Sequence, residues 1–331
     1  MVRLFATTLV LGWLALPAFG ARLDVGAINN TQLGSKPPAE DKIDARVVKA
    51  QVLLDRAQFS PGEIDGKLGE NAQKALKAFA EAHNLASDKP LTSEIWTALS
   101  ATSQDAVITE YTITEGDVKG PFLKKLPVKM EDMKSFKALS YTSPRQAIAG
   151  KFHISEGLLA ALNPGKKFNR AGEVIFVTNV LKDTKLNVGR IEVDKTLQTV
   201  KAFDPSGALI AFFPATVGSE EKPTPSGSLK VISVDPNPTY RYNPAYKFKG
   251  VNSKRPFTIK PGPNNPVGSF WIGLSAEGYG IHGTPNPSKI SKAESHGCVR
   301  LTNWDVGLLA NNIKKGTPVV FVGEPQSNQK S

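Results

Sequence analysis

The sequence contains very little sulfur and little histidine. Cys298 is the only cysteine among 331 residues, and there are four histidines. A single thiol cannot form an intramolecular disulfide, and it also excludes zinc sites built from several cysteines. Any thiol chemistry in this chain therefore depends on Cys298.

Long apolar runs are also scarce, with one exception at the N-terminus. Arg3 precedes an apolar run over 4–16, and the small-residue stretch 17–21 follows it. This order is typical of a secretory signal peptide, with cleavage after Gly20. The alternative is a membrane anchor, but the run is shorter than the ~20 residues that span a bilayer. We expect an exported protein without a transmembrane segment after cleavage.

Negatively charged residues are fewer than positively charged ones. Asp and Glu number 30 against 41 Lys and Arg, which gives a formal net charge of +11. Such a basic chain favours a polyanionic partner, and nucleic acid, anionic lipid and bacterial wall polymer all fit that description. Hydrophobic residues make up 40% of the chain, which argues against a disordered, collagen-like or coiled-coil protein. The length predicts two or three domains.

The first part of the chain after the predicted signal peptide divides into a linker and a helical block. Residues 21–43 show no periodicity and are predicted to be a linker. Over 44–101, apolar residues recur at helical spacing in three segments, with a turn-rich stretch at 59–69. The spacing predicts a three-helix domain without catalytic features. Its Ser-Pro-Gly…Ile-Asp-Gly pattern at 60–66 resembles the peptidoglycan-binding domain found beside many wall enzymes.

The block over 105–182 mixes helix and strand. Ser143 and Ser155 each precede a predicted helix, and residues 174–178 are predicted to form a buried strand. Two helices followed by a strand resemble a LysM module, a small α+β glycan-binding fold. In that resemblance the first strand is expected near 139–141.

The block over 186–323 is rich in predicted strands. Apolar residues alternate with other residues in several short segments, and one late helix begins after Thr302 and ends near Gly316. This pattern predicts a mainly β domain, either a sandwich or a barrel. The long Pro-, Asn- and Gly-containing stretch over 235–268 is predicted to be a lid over a site. Residues 324–331 are predicted to be a C-terminal tail.

The candidate chemistry is concentrated around Cys298. His282 and His296 lie within seventeen positions of the thiol. A thiol attacks acyl groups as thiolate, and with a pKa of ~8.5 it is mostly protonated at neutral pH. We expect an imidazole to remove that proton and Arg300 to stabilise the anion at neutral pH. Gly297 allows close backbone approach and leaves the Cys298 N–H available to a developing oxyanion.

Each of these residues also has a simpler interpretation. Lone cysteines are usually small buried hydrophobic residues, a histidine can make a core hydrogen bond, and an arginine can be solvated. Their occurrence together in an exported chain favours catalysis. From spacing alone, the sequence predicts a cysteine acyltransferase or peptidase of unknown substrate.

Two stretches then carry a family resemblance. The motifs His282-Gly283-Thr284 and Ser295-His296-Gly297-Cys298-Val299-Arg300-Leu301 resemble the YkuD-type L,D-transpeptidase catalytic domain. The resemblance implies attack by Cys298 on the bond between an L-centre and a D-residue in a stem tetrapeptide. The terminal D-amino acid leaves, a thioester forms, and an acceptor amine resolves it. It implies no metal and no organic cofactor.

The same resemblance implies a role for each site residue. His282 is implied as the general acid/base, oriented by the Gly283 carbonyl. His296 and the backbone around Gly297 are implied to shape the oxyanion site. Substrate binding is assigned to Arg300 and, as hydrogen-bond supports, to Ser295 and Thr284.

Partners and alternatives complete the prediction. The expected partners are peptidoglycan stem peptides and glycan, and the acceptor is a stem peptide, a lipoprotein lysine or a D-amino acid. The expected location is the periplasm, and nucleic acid is not expected as a partner. One alternative is a cysteine endopeptidase, although such enzymes usually place cysteine before histidine in the chain. Another is a hydrolase of the same fold that cleaves stem-peptide or lipoprotein links. A third is a non-catalytic peptidoglycan-binding scaffold.

Overall fold

The computed structural model describes residues 23–39, 41–180, 184–218, 223–246, 251–292 and 297–324. The predicted signal peptide over 1–20, the site residues Ser295 and His296, and the predicted tail beyond residue 324 lie outside the described residues. Within the described ranges, no helix combines the length and the apolar character needed to cross a bilayer.

The N-terminal part of the described chain is helical. Its helices are α1 (Val25–Asn30), α2 (Ala45–Arg56), α3 (Glu70–Ala82) and α4 (Ser93–Ala101). The last three are the predicted ones. Helix α3 begins after Gly69, and the side-chain amide of Asn71 in its first turn donates to the Ile290 carbonyl at 3.1 Å. A contact with a distant part of the chain therefore engages this asparagine.

The prediction of a linker over 21–43 is wrong for α1. The Asp24 carboxylate accepts hydrogen bonds from the Gly26 and Ala27 N–H groups and so begins the helix. Ile28 is buried against the helical core, and the Asn29 side chain exchanges two hydrogen bonds with the Ile108 backbone. A helix this short carries one buried apolar residue, so no periodicity is visible in the sequence.

A second module follows, built from two paired strands and three helices. Its elements are β1 (Ile108–Thr112), α5 (Glu115–Lys119), α6 (Pro144–Lys151), α7 (Glu156–Leu162) and β2 (Val174–Thr178). β1 and β2 pair antiparallel, so the predicted first strand near 139–141 is wrong. Residues 139–141 do not pair with β2 because the Leu139 backbone bonds instead to Pro261 and Asn264, at 2.8 and 2.9 Å.

The remaining strands form the third block together with one helix. The elements are β3 (Arg190–Asp194), β4 (Thr199–Phe203), β5 (Leu209–Pro214), β6 (Gly227–Pro236), β7 (Tyr240–Tyr242), β8 (Phe257–Ile259), β9 (Phe270–Leu274), β10 (Gly280–His282), β11 (Val299–Arg300), α8 (Asn303–Ala310) and β12 (Pro318–Val322). Eight of these strands form one mixed sheet in the order β11-β10-β9-β6-β12-β3-β4-β5, while β7 and β8 form a separate hairpin.

The sheet curls until its two edges meet. Thr216, which directly follows edge strand β5, exchanges backbone hydrogen bonds of 2.8 and 2.9 Å with Arg300 on the other edge strand, β11. The sequence left open whether this domain is a sandwich or a barrel. The structure shows a mainly β domain built on one curled sheet. Apolar side chains of the sheet pack with Val306 and Leu309 of α8 in a continuous core.

Helix α8 ends earlier than the sequence predicted. It stops at Ala310 and not near Gly316. The Asn312 side chain donates to the Leu308 carbonyl and accepts from the Leu186 N–H at 2.8 and 2.7 Å. This asparagine therefore satisfies the end of the helix and fixes the chain that enters the sheet.

The helical domain covers one edge of the sheet. The Ser60 N–H donates to the Phe212 carbonyl at 2.8 Å, and the Phe212 N–H donates to the Gln58 carbonyl at 2.9 Å. Phe59 and Phe212 are both buried at this junction. Covering β5 in this way satisfies the unpaired backbone groups of an edge strand.

Candidate active site

Two neighbouring strands place an imidazole beside a guanidinium. β10 and β11 pair in parallel, with Ile281 opposite Val299 and His282 opposite Arg300. Ile281 and Val299 are buried in the core. Because side chains alternate along a strand, His282 and Arg300 share the opposite face. Trp271 on β9 pairs with His282 from the other side, and the two rings stack at 5.6 Å.

The thiol lies in the same cleft as these two side chains. The cleft has a volume of about 860 Å³. Its lining includes Tyr240, Trp271, Tyr279, His282, Cys298 and Arg300. Nucleophile, imidazole and cation are thus brought together by strands β10 and β11 and by the loop that precedes β11.

His282 is held as a neutral base. Its Nδ1 lies 2.7 Å from the Gly283 carbonyl oxygen, which can only accept, so Nδ1 carries the proton. Burial, together with the positive charge of Arg300, lowers the pKa of His282 to about 3, and the Gly283 carbonyl only partly opposes this. Nε2 therefore keeps a free lone pair at neutral pH and can accept a proton.

Cys298 rests as a thiol. Its Sγ lies 3.7 Å from the Gly278 carbonyl oxygen. Burial raises the pKa of Cys298, and this outweighs the lowering by the Gly280 backbone and by Arg300. The resting thiol is therefore protonated at neutral pH, and the expected removal of its proton by an imidazole stays a prediction for the attack itself.

The backbone before the nucleophile is in a conformation that favours glycine. Gly297 has φ +98°, in the left-handed region where side chains are strained. This conformation fixes the direction in which the chain enters β11. It is consistent with a close approach of the Cys298 backbone to a developing oxyanion.

Arg300 supplies a positive charge to the cleft. Burial lowers the pKa of Arg300, while Cys298 and the lid residue Tyr240 raise it. The pKa of a guanidinium is ordinarily far above neutral, so Arg300 stays charged at neutral pH. Such a group can bind a carboxylate in bidentate fashion.

Asn303, the first residue of α8, holds the chain that leads into β9 and lies close to Gly283, the residue after His282. Its Oδ1 accepts from the Ser269 N–H, and its Nδ2 donates to the Pro263 carbonyl, both at 3.0 Å. A Cβ atom on Gly283 would lie 2.2 Å from this Oδ1, so the chain passes Asn303 too closely for a side chain. Gly283 therefore has two roles: its carbonyl orients the His282 ring, and its lack of a side chain allows the close approach of Asn303.

One predicted site residue is not brought to this cleft. Thr284 is buried, and its Oγ1 accepts from the Asn286 N–H at 3.2 Å. It lines a separate cavity of about 850 Å³ between the second module and the sheet. Its predicted part in substrate binding stays a prediction. The predicted roles of Ser295 in hydrogen-bond support and of His296 at the oxyanion site also stay predictions, because both lie outside the described residues.

Three residues that shape the site were not predicted from the sequence. Trp271 stacks on the base, Tyr240 faces Arg300, and Asn303 braces the backbone. Only Asn303 had a visible signal, its place directly after the helix cap Thr302. Across the described ranges, no group of three or more His, Cys, Asp or Glu residues is arranged to hold a metal ion.

Two family models match the chain. Residues 189–321 match YkuD, the L,D-transpeptidase catalytic domain, and residues 44–99 match the "Putative peptidoglycan binding domain". The first match covers the curled sheet and the cleft. The second covers α2 to α4, so the prediction of a peptidoglycan-binding domain at this position is supported.

Two curated relatives agree with the family match, and one solved structure is similar to part of the chain. The chain is 30% identical over 176 residues to "Putative L,D-transpeptidase YkuD" of Bacillus licheniformis, covering 53% of this chain and 90% of that protein. It is 27% identical over 193 residues to "Probable L,D-transpeptidase YbiS" of Escherichia coli, covering 56% of this chain and 61% of that protein. L,D-transpeptidase 3 from Mycobacterium tuberculosis, solved with a faropenem-derived adduct, aligns with 16% identity and a TM-score of 0.34, over 46% of this chain and 75% of that one.

The curled sheet, the cleft that joins Cys298 to His282 and Arg300, and the match over most of the Bacillus protein lead to one conclusion. The chain belongs to the YkuD family of L,D-transpeptidases.

Proposed function

We propose that this chain is a cysteine acyltransferase that acts on peptidoglycan stem peptides by L,D-transpeptidation. The observation that carries the proposal is the meeting of Cys298, neutral His282 and charged Arg300 in one cleft of a YkuD domain. A nucleophile, a base and a cation are the groups that acyl transfer from a carboxylate-bearing peptide requires.

The first half-reaction forms a thioester. A carboxylate of the donor peptide binds to Arg300, while Nε2 of His282 takes the thiol proton as Sγ of Cys298 attacks the carbonyl carbon. The tetrahedral oxyanion collapses, the C–N bond to the terminal D-amino acid breaks, and His282 returns its proton to the departing amine. One S–C bond has replaced one C–N bond.

The second half-reaction restores the thiol. An acceptor amine enters, gives a proton to Nε2 of His282 and attacks the thioester carbonyl. The S–C bond breaks, and the proton passes to Sγ of Cys298. This sequence of two half-reactions predicts ping-pong kinetics.

Oxyanion stabilisation belongs to the same proposal. The glycine conformation at 297 supports a role for the Cys298 backbone N–H as a donor to the oxyanion. We assign His296 to the same oxyanion site, and Ser295 and Thr284 to hydrogen-bond support, on the family resemblance of their motifs.

The two N-terminal units are proposed to bind the same polymer. The family match over 44–99 supports peptidoglycan binding by α2 to α4. The antiparallel pair β1 and β2 with α6 and α7 between them in the chain supports a LysM-like, glycan-binding role for the second module. We further place the protein in the periplasm at the cell wall, after removal of residues 1–20.

Incubation with a disaccharide tetrapeptide tests transfer against hydrolysis. Transfer is supported by a cross-linked dimer or by exchange of the terminal residue for an added D-amino acid. The proposed acceptor is a stem peptide, a lipoprotein lysine or a D-amino acid. Tripeptide as the sole product would identify a hydrolase of the same fold instead. Absence of turnover with retained sacculus binding would identify a scaffold.

A further inference from the structure

A segment of the second module reaches the catalytic cleft. The inserted segment, residues 120–142, lies between α5 and α6 and contains a 3-10 helix, Met130–Ser135, which packs against β8. It lies outside both family matches, at 44–99 and 189–321. Its partner is the cover segment, residues 251–268, which carries β8 and is the described C-terminal part of the predicted lid.

Glu131 holds the start of the cover segment. Its Oε1 accepts hydrogen bonds from the consecutive N–H groups of Asn252 and Ser253, at 2.5 and 3.1 Å. The carboxylate is the charged acceptor for both donors, and such charge-assisted bonds are stronger than neutral ones. Its own backbone N–H, and then the Asn252 N–H, lower the pKa of Glu131, so it is ionised at neutral pH.

Leu139 and Ser140 hold the middle of the cover segment. The Leu139 N–H donates to the Pro261 carbonyl at 2.8 Å, and the Leu139 carbonyl accepts from the Asn264 N–H at 2.9 Å. The Asn264 side chain also donates to the Ser140 carbonyl at 2.8 Å. At Gly262, where φ is +145°, a Cβ atom would lie 2.3 Å from the Leu139 oxygen. The two segments are therefore packed backbone to backbone.

Met130 lies beside Glu131 and enters the cleft wall. It lines the same 860 Å³ cleft as Cys298, together with Val251 and Val267 of the cover segment. These three side chains give that part of the cleft an apolar surface. The apolar wall is thus shared between the second module and the sheet domain.

We propose that the inserted segment forms part of the active site and helps to position the substrate. Met130 contributes the apolar wall that positions the acyl donor, and Glu131 is a positioning residue that holds residues 251–253 beside it. The donor is the relevant substrate because it must reach Sγ of Cys298 before any acceptor does. The assignment to the donor rests on the proposed function; the holding of the cover segment does not.

The first test measures the contact made by Glu131. Amide hydrogen exchange of the peptide spanning 251–256 is followed in the full chain for wild type, Glu131→Ala, Glu131→Gln and Asp132→Ala. We expect exchange at Asn252 and Ser253 to be at least about fivefold faster in Glu131→Ala, because both N–H groups lose their acceptor. Glu131→Gln keeps an oxygen acceptor but loses the charge, so its exchange rate should lie between those of wild type and Glu131→Ala. The exposed neighbour variant Asp132→Ala should stay within about twofold of wild type.

The second test measures positioning of the donor. With a tetrapeptide donor, we expect Met130→Ala and Glu131→Ala to raise KM about five- to tenfold while kcat stays within about twofold, since they remove substrate positioning and not chemistry. Met133→Ala shortens a methionine of the same 3-10 helix that does not line the cleft, and should leave both constants within about twofold.

Outcomes that contradict the proposal are separable from failure of the proposed function. Unchanged exchange and unchanged KM in Glu131→Ala would overturn it, as would equal effects in the Met133→Ala control. If the wild type does not turn over tetrapeptides, the proposed function fails. In that case the rate at which a carbapenem acylates Cys298, measured by intact mass, replaces KM as the readout. An acylation rate in Met130→Ala equal to that of wild type would contradict the role of Met130 in the apolar wall, and a several-fold slower rate would support it.

Discussion

Arg300 lies opposite His282 on the neighbouring parallel strand, and its charge acts on both partners of the proton transfer. The guanidinium lowers the pKa of Cys298, which favours the thiolate, and it also lowers the pKa of His282, which disfavours the imidazolium. A resting thiolate–imidazolium pair is therefore unfavourable here. The proton transfer that creates the nucleophile belongs to the attack itself.

Cys298 is expected to be the site of covalent modification by carbapenems. The strained lactam carbonyl of such a compound accepts thiol attack, so incubation should add its full mass to the protein. Cys298→Ala should show no adduct and should lose tetrapeptide turnover by roughly a thousandfold or more, with sacculus binding unchanged. Intact-protein mass spectrometry and a pelleting assay measure the two results. An adduct on the alanine variant would rule out Cys298 as the nucleophile.

The pH dependence of acylation should show one limb. With the pKa of His282 near 3, the imidazole is neutral from pH 5 upward and contributes no titration between pH 5 and 8. Because His282 removes the thiol proton during the attack, the reactive form pairs a neutral thiol with a neutral imidazole, and the acylation rate should stay level from pH 5 to 8. Burial raises the pKa of Cys298, so the rate should change only above the ordinary thiol range near 8.5. Carbapenem acylation rates from pH 5 to 10 measure this. A second limb centred near pH 6.5 would show that the histidine is not held neutral.

Removing the charge of Arg300 should move that limb. In Arg300→Gln, the pKa values of Cys298 and His282 both rise, because the guanidinium lowers both in the wild type. We expect the alkaline limb to shift upward by about half a pH unit or more, and the donor KM to rise about tenfold through loss of the carboxylate contact. Arg255→Gln removes an exposed arginine of the cover segment and serves as the control. Equal shifts in both variants would indicate a general charge effect.

Asp305 should make stability depend on pH. This buried residue of α8 has its pKa raised to about 7 by burial, despite hydrogen bonds to Ser60 and Thr302. A carboxyl with a raised folded-state pKa binds more protons in the folded state. The contribution of Asp305 to the free energy of unfolding is therefore highest below its unfolded-state pKa near 4, and falls as the pH rises to about 7.

The corresponding variant tests that sign. Asp305→Asn cannot ionise, so its free energy of unfolding should fall less between pH 4.5 and 8 than that of wild type, by on the order of a few kcal/mol. Denaturant unfolding at pH 4.5, 6 and 8 measures the difference. The exposed Asp132→Asn should retain the wild-type slope. Parallel slopes for wild type and Asp305→Asn would contradict the assignment.

The sequence predicted local structure best where the structure depends on local contacts. Ser143, Ser155 and Thr302 all cap the helices predicted to follow them, because each side-chain oxygen accepts from an N–H three residues away. The motif around Cys298 likewise predicted the family, since the residues that define it are close together in the chain. Prediction was wrong at β1 and α1, whose partners lie many residues away.

By itself, then, the sequence determined the family and where most helices begin, because both depend on short stretches of chain. Only the tertiary structure decided how those residues are charged and what surrounds them. Burial and the placement of β11 beside β10 set the protonation states of Cys298 and His282. Met130 reaches the cleft from a different module, more than 150 residues before the nucleophile in the chain. Such effects depend on distances between remote segments, which no local pattern specifies.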